Sequence, residues 1–331
     1  MQTEAVPAQP RIAVYRLGET ARSLLSPGSR GKVFATISAA IYMTSLKGDL
    51  LWLAAEGSAM HRRCVQVVGP LPRIHADTEY AVADRHLALG PDLILDFSRA
   101  PRWPLAPTSF LRTPPASTLP GLLSAAFSVL IDLPSPKGFG GLIPRILSGA
   151  NDGIPSSPVV WLAPAVRRAW PAVRNVVRAC LSLDFPRLLE HAEELIGLGE
   201  GLTPSGDDFV GGLLFWLSAW GNAYARPSPL ESSDLVSFLE RSKPLTNLIS
   251  FTLLADHAEG HSFEALHHLT DALLTGQDGE RIRQRAGRLI RLGHSTGWDL
   301  LTGVAAGLLT TAGVLSAVRP DSIPLPSLHP S

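Results

Sequence analysis

Thiols and lysines are the scarce residues of this chain, and each scarcity narrows what it does. Cys64 and Cys180 are the only cysteines. Two thiols in different halves, without metal spacing, exclude a disulfide framework and a thiolate metal site, and they suit a reducing compartment. The lysines are Lys32, Lys47, Lys137 and Lys243, with arginine carrying the remaining positive charge. That balance reads first as a compositional habit of the genome. Net charge is missing as well, the formal value being zero. A neutral chain lacks the field that draws proteins to nucleic acid or to an acidic membrane. No run of about 18 or more apolar residues occurs, so no span of a membrane is expected. Residues 1–10 carry Glu4 and no apolar core, unlike a signal peptide. A soluble cytoplasmic protein is expected.

What is present is a chain of 331 residues, 45% hydrophobic and 18% charged, long enough for two cores. The expected fold class is α+β: a β-rich, barrel-like N-terminal domain followed by a mainly α-helical one. An N-terminal arm covers 1–30, the β-rich domain and a proline-rich connector 31–120, the helical domain 121–318, and a flexible tail 319–331. Short apolar runs at Val33–Tyr42, Leu50–Leu53, Cys64–Val68 and Leu93–Phe97 read as strands. Helical spacing appears over 121–133, 163–181, 185–198, 209–225, 231–241, 245–258 and 262–275. A basic helix capped by Asp278 and a final helix over 297–316 follow.

The densest local signal is Gly197-Leu-Gly-Glu-Gly-Leu-Thr-Pro-Ser-Gly-Asp-Asp-Phe209, standing directly before a long apolar run. Glycine lets backbone turn tightly and approach a ligand closely. The Ser-Gly-Asp-Asp segment then opens a helix, where free N–H groups attract anions. A second segment shares the design. Ser205-Gly206-x-Asp208-x3-Gly212 matches Thr296-Gly297-x-Asp299-x3-Gly303. A capping box, Ser or Thr followed three residues later by an acid, accounts for part of each match. It does not account for Asp207, for Gly197, Gly199 and Gly201, or for His294 in the second loop.

Two such helix starts facing one cleft form an anion site from backbone N–H groups and the hydroxyls of Thr203, Ser205, Ser295 and Thr296. Gly199, Gly201, Gly206 and Gly297 supply the close backbone approach. Asp207, Asp208 and Asp299 repel an anion unless they hold a cation or act as a base. Mg²⁺ held by Asp207 and Asp208 and bridging to phosphate is one reading; general-base work is the other. Asp207, Asp208, His294 and Asp299 are the candidate catalytic residues. No nucleotide cofactor is indicated, because the glycine spacing lacks the dinucleotide fingerprint.

Gly-Leu-Gly-x-Gly-Leu-Thr-Pro-Ser-Gly-Asp-Asp-Phe, followed later by Gly-His-Ser-x-Gly-x-Asp, resembles the AllH-like family. That family was long a domain of unknown function. It is named for a subunit of the bacterial oxamate carbamoyltransferase of allantoin breakdown. Thr246-Asn-Leu-Ile-Ser250 also looks like a family feature. The resemblance implies a three-component assembly that exchanges oxalurate and phosphate with oxamate and carbamoyl phosphate. Its expected ligands are carbamoyl phosphate or phosphate and a small carboxylate, and its expected partners are the other subunits. Glu200 departs from the pattern, since a carboxylate there weakens an anion site unless it points outward. A stand-alone Mg-dependent hydrolase or phosphotransferase, and a non-catalytic ligand-binding or scaffold subunit, are the alternatives.

The remaining features carry bland readings. His257 and His261 lack zincin spacing and read as a surface cluster, as do His267 and His268. Arg281, Arg285 and Arg288 read as a solvated face, with Arg288 or Arg291 as a possible clamp on an anion. Lys137 lies in a glycine-rich loop, 136–141, of no phosphate-loop type. Trp298 reads as core.

Overall fold

A computed structural model describes residues 10–103, 118–148, 163–224 and 232–318. Most of the proline-rich connector and the whole tail lie outside these residues. The chain divides into two compact units, 1–106 and 107–331.

The first unit is an eight-stranded barrel. Its strands are β1 (Arg11–Gly18), β2 (Arg30–Ile37), β3 (Ala40–Ser45), β4 (Leu50–Ala55), β5 (Cys64–Val67), β6 (Glu79–Ala83), β7 (His86–Leu89) and β8 (Leu93–Asp96). They run in the order β5-β4-β3-β2-β6-β7-β8-β1, and an antiparallel β1–β5 pairing closes the ring. A short β9 (Arg102–Trp103) continues along β1 beyond β8. Closure removes the exposed edges that an open sheet presents. Alternation carries the inward face: Tyr80 and Val82 of β6 are buried between exposed neighbours. Leu17, Val33, Met43, Leu53, Val65 and Leu87 fill the interior.

Residues 11–24, read from sequence as part of an arm, form β1 and helix α1 (Glu19–Leu24). β1 is the strand through which the ring closes. Only three of its eight residues are buried, so its sequence alternation is weak. The run Val33–Tyr42, read as one strand, is a hairpin that turns at Ser38 and Ala39, with Ile37 paired to Ala40. Neither turn residue has positive φ, so the glycine or asparagine that flags such turns is missing.

The second unit is helical: α2 (Leu119–Ile131), α3 (Ile143–Leu147), α4 (Pro164–Ser182), α5 (Phe185–Glu193), α6 (Ser205–Ala223), α7 (Ser232–Ser242), α8 (Leu248–Ala258), α9 (Glu264–Leu274), α10 (Gly279–Leu289) and α11 (Thr296–Val318). A 3-10 turn, Gly138–Leu142, starts within the 136–141 loop and buries Phe139 and Leu142. From Gly297 to Ala312 every residue of α11 is buried, Trp298 included. Burial on every face marks a helix at the centre of a core. No described helix is long and apolar enough to cross a membrane.

Helices α6 and α11 lie side by side in the same direction. A Cβ added to Gly212 would stand 2.1 Å from the Leu300 carbonyl oxygen, and one added to Gly303 would stand 2.0 Å from that of Phe209. Farther along, Trp216 Nε1 donates to Thr311 Oγ1 at 3.2 Å. The missing side chains let the backbones touch, as small residues do wherever helices cross closely. Parallel alignment brings both N-termini to one end.

Candidate functional site

The two loop-to-helix junctions meet. Thr203 Oγ1 and Thr296 Oγ1 share a hydrogen bond of 3.0 Å across 93 residues of chain. The junctions are built alike. Gly206 donates its N–H to Leu198 O at 2.9 Å, and Gly297 donates to Leu292 O at 3.0 Å. A Cβ on Gly206 would lie 1.9 Å from Leu195 O, and one on Gly297 1.9 Å from Leu289 O. Each helix thus starts folded against the end of the preceding segment, with glycine leaving the space. The first loop is three residues longer than the second, and it holds Gly197, Gly199 and Gly201, all at positive φ.

Capping does not explain the hydroxyl at the first junction. Pro204 occupies the N-cap of α6 without a side-chain cap bond, and Ser205 is already helical. A Ser-to-Asp capping box requires the hydroxyl one position earlier.

Asp207 and Asp208 are adjacent yet do different things. One helical step rotates their side chains apart by about 100°. Asp207 faces α8. Its Oδ1 accepts from Gly197 N at 2.5 Å, and its Oδ2 accepts from Ser250 Oγ at 2.6 Å and from Thr246 Oγ1. Burial leaves its carboxyl above the ordinary value despite these donors. Asn247 completes the clamp. Its Oδ1 caps α8 through Ile249 N and Ser250 N, and its Nδ2 donates to Leu202 O at 3.0 Å. The Thr246–Ser250 segment thereby holds the glycine loop in place.

Asp208 faces α11 and Asp299. The two occupy corresponding positions of the repeated motif and are 3% and 0% exposed. Asp299 Oδ1 accepts from Phe139 N at 2.6 Å. Asp208 Oδ2 and Asp299 Oδ2 are buried without a hydrogen-bond partner. Burial pushes the Asp208 carboxyl well above its usual range; Asp299 adds to the push, against the Thr203 and Thr296 hydroxyls. Burial raises Asp299 to about 6, against the Phe139 N–H and the hydroxyls of Ser205 and Ser295. Two carboxylates at two helix N-termini complement the positive dipole ends. A buried oxygen without a donor nevertheless costs about 1–3 kcal/mol.

The Phe139 contact was not legible in the sequence. Gly138 adopts φ +52, and a Cβ there would stand 2.2 Å from Asp299 Oδ1. The loop that carries exposed Lys137 is therefore seated on Asp299. A backbone N–H donor 160 residues away leaves no mark on residue type.

Exposure falls from the loops inward. Gly199, Glu200, Gly201, Gly293 and His294 are exposed; Thr203, Ser205, Ser295 and Thr296 are half-buried; Gly206, Gly297 and the aspartates are buried. Glu200 points to solvent, outside the buried group. His294 lies in the exposed part of the second loop. Arg288 and Arg291 are exposed on and after α10.

The histidines correct the sequence reading in part. His257 is buried at 1% exposure, and its ring occupies the space that Gly211 leaves on α6. His267 is half-buried, edge-on to Phe215 at 4.9 Å, and burial lowers it to about 4. His268 is exposed. Spacing by four could not separate a surface pair from one pressed against a glycine on another helix.

Among the described residues, no group of three or more His, Cys, Asp or Glu side chains is arranged to hold a metal ion. Asp207 has donors on both oxygens, so the carboxylate oxygens open to a cation belong to Asp208 and Asp299. Two carboxylates plus a substrate phosphate and water suit Mg²⁺. The same pair, left without a cation, suits N–H donors.

Residues 195–308 match the model of the family described as oxamate carbamoyltransferase subunit AllH. The matched segment runs from the turn before the first glycine loop into α11, and so contains both junctions. No solved structure matches the chain.

Proposed function

We propose that this chain is a subunit of an oxamate carbamoyltransferase-type complex. In this reading the paired starts of α6 and α11 bind carbamoyl phosphate or phosphate together with a small carboxylate of the oxamate or oxalurate kind. The family match over both junctions supports it. The observation that carries it is the meeting of the two junctions at the Thr203–Thr296 hydrogen bond, over two buried carboxylates.

The chemistry of the ligands fits the residues. Carbamoyl phosphate presents phosphate oxygens at one end and an amino group at the other. Helix N-termini and hydroxyls suit the oxygens, and carboxylates suit the N–H donors. Transfer forms a bond from the oxamate amide nitrogen to the carbamoyl carbon, breaks the carbon–oxygen bond to phosphate, and releases one proton from nitrogen. Asp299, with its carboxyl near 6, is ionised at neutral pH and can take that proton. No covalent intermediate is invoked, and positioning and electrostatics do the rest. Any Mg²⁺ at the site would be held by Asp208 and Asp299 and would neutralise phosphate charge.

Calorimetric titration of the full chain with carbamoyl phosphate, with and without Mg²⁺, tests the reading. The expected result is saturable heat that Asp208→Ala weakens about tenfold or more, an effect of about 1.4 kcal/mol. Absence of heat under both conditions counts against it.

A further inference from the structure

Resting on the function proposed above, we infer that the two helix starts are unequal halves of a duplicated site. The second half takes the phosphoryl group, and Arg288 and Arg291 draw it there and hold it. The likeness of the junctions extends into the helices before them. Asp184 caps α5 and Asp278 caps α10, accepting from the N–H groups of Arg187 and Arg281 respectively. Leu188, Ala192 and Leu195 are buried at the positions where the second copy buries Ile282, Ala286 and Leu289. Each copy then seats a glycine on two leucine carbonyls: Gly206 on Leu195 and Leu198, Gly297 on Leu289 and Leu292. Contacts between α6 and α11 respect the same correspondence. Gly212 meets Leu300 and Gly303 meets Phe209, and exchanging the copies exchanges these two contacts. Asp208 and Asp299 are counterparts, so they do not tell the halves apart.

Charge tells them apart. The position that holds Glu194 in the first copy holds Arg288 in the second, and Arg291 stands where the first copy has Gly197. The longer first loop adds Glu200, and the first turn of α6 carries Asp207 where α11 carries Trp298. Pro204, before α6, brings no N–H, whereas Ser295, before α11, brings one. Glu194 is hydrogen-bonded to His191 at 2.8 Å. Arg283 has Glu280 as its ion-pair partner, and among the described residues Arg288 and Arg291 have none. All four of Glu194, Glu200, Arg288 and Arg291 are exposed, at the loop ends rather than among the buried aspartates. At physiological salt a charge acts over about 8 Å, so the residues flanking each junction decide. A phosphate on the first flank meets like charge. On the second it meets guanidinium groups, whose planar fork matches phosphate oxygens. Opposite charges at matching positions give a duplicated site a direction.

Paired charge variants of the full chain make the test, titrated with inorganic phosphate and with carbamoyl phosphate in chelator at low salt. Arg288→Gln/Arg291→Gln is expected to weaken both ligands about tenfold, and by less as salt rises. Arg281→Gln/Arg283→Gln removes the same charge about 10 Å farther from the loop and is expected to cost less than about twofold. Glu194→Gln/Glu200→Gln is expected to change affinity by no more than about twofold. All six side chains are exposed, and thermal melts check that the variants are folded. Equal losses in the two arginine pairs would show a general field and overturn the inference. A tenfold gain from the glutamate pair would overturn it too, by placing phosphate at the first start. If carbamoyl phosphate binds and ignores Arg288 and Arg291, the inference fails and the proposed function stands. If inorganic phosphate binds through the two arginines and carbamoyl phosphate does not bind, the proposed function fails and the phosphate-holding role of the arginines stands. If neither ligand binds, both fail.

Discussion

Asp207→Ala is expected to destabilise the chain by about 3 kcal/mol, the cost of stranding several donors around a removed buried acceptor. Those donors are the Gly197 N–H and the hydroxyls of Thr246 and Ser250. They belong to the glycine loop, to the residue before the α8 cap and to α8 itself. The carboxylate thus ties three pieces of backbone together. Asp207→Asn keeps one acceptor and turns the other edge into a donor facing two hydroxyls, which can rotate to accept, so it is expected to cost less. Denaturant melts measure both. An Asp207→Ala chain as stable as the parent would show that the three bonds do not hold the loop.

Asp299→Asn is expected to do the reverse and stabilise the chain at alkaline pH. The Asp299 carboxyl stands at about 6, above the value of 3.8 that it has when unperturbed. The folded state then binds this proton more tightly than the unfolded state does. Its contribution to stability is full below about pH 4 and is lost as pH rises through about 6. The loss is about 3 kcal/mol at pH 8, at about 1.36 kcal/mol per unit. Asparagine still accepts from Phe139 N, and its amide can donate toward Asp208. The expected gain is about 2–3 kcal/mol at pH 8 and near zero at pH 4, accompanied by weaker ligand binding. Equal effects at both pH values, or a loss at pH 8, would place the Asp299 charge outside the low-dielectric interior. The opposite signs expected at Asp207 and Asp299 separate a residue that holds the site from one that the site keeps at a cost in stability.

The site was partly legible because its signals are local. A glycine turn, a hydroxyl and an acid at fixed spacing before an apolar run mark a helix start wherever they occur. Having the pattern twice singled out Asp208 and Asp299 as counterparts. Division of labour between Asp207 and Asp208 was not legible, since which of two adjacent side chains meets α8 and which meets α11 depends on packing. Gly138 and Phe139 were missed for a related reason: the donor is backbone, and its partner is far along the chain. In the barrel, β4 announced itself by a continuous apolar run. β6 (Glu79–Ala83) and β7 (His86–Leu89) went unread, because two inward residues in so short a strand make a faint alternation.

The convergence of the two helix starts on one ligand site is open to a direct chemical test in a Thr203→Cys/Thr296→Cys chain. The two hydroxyl oxygens lie 3.0 Å apart, so thiols in their place are within reach of a disulfide. Cys64 and Cys180 are buried, with thiols pushed up to about 12, and stay out of the reaction. Mild oxidation is expected to form one intramolecular disulfide and to abolish carbamoyl phosphate binding, with reductant restoring it. Failure of the disulfide to form, or a disulfide that leaves binding unchanged, would contradict a shared site at the two junctions.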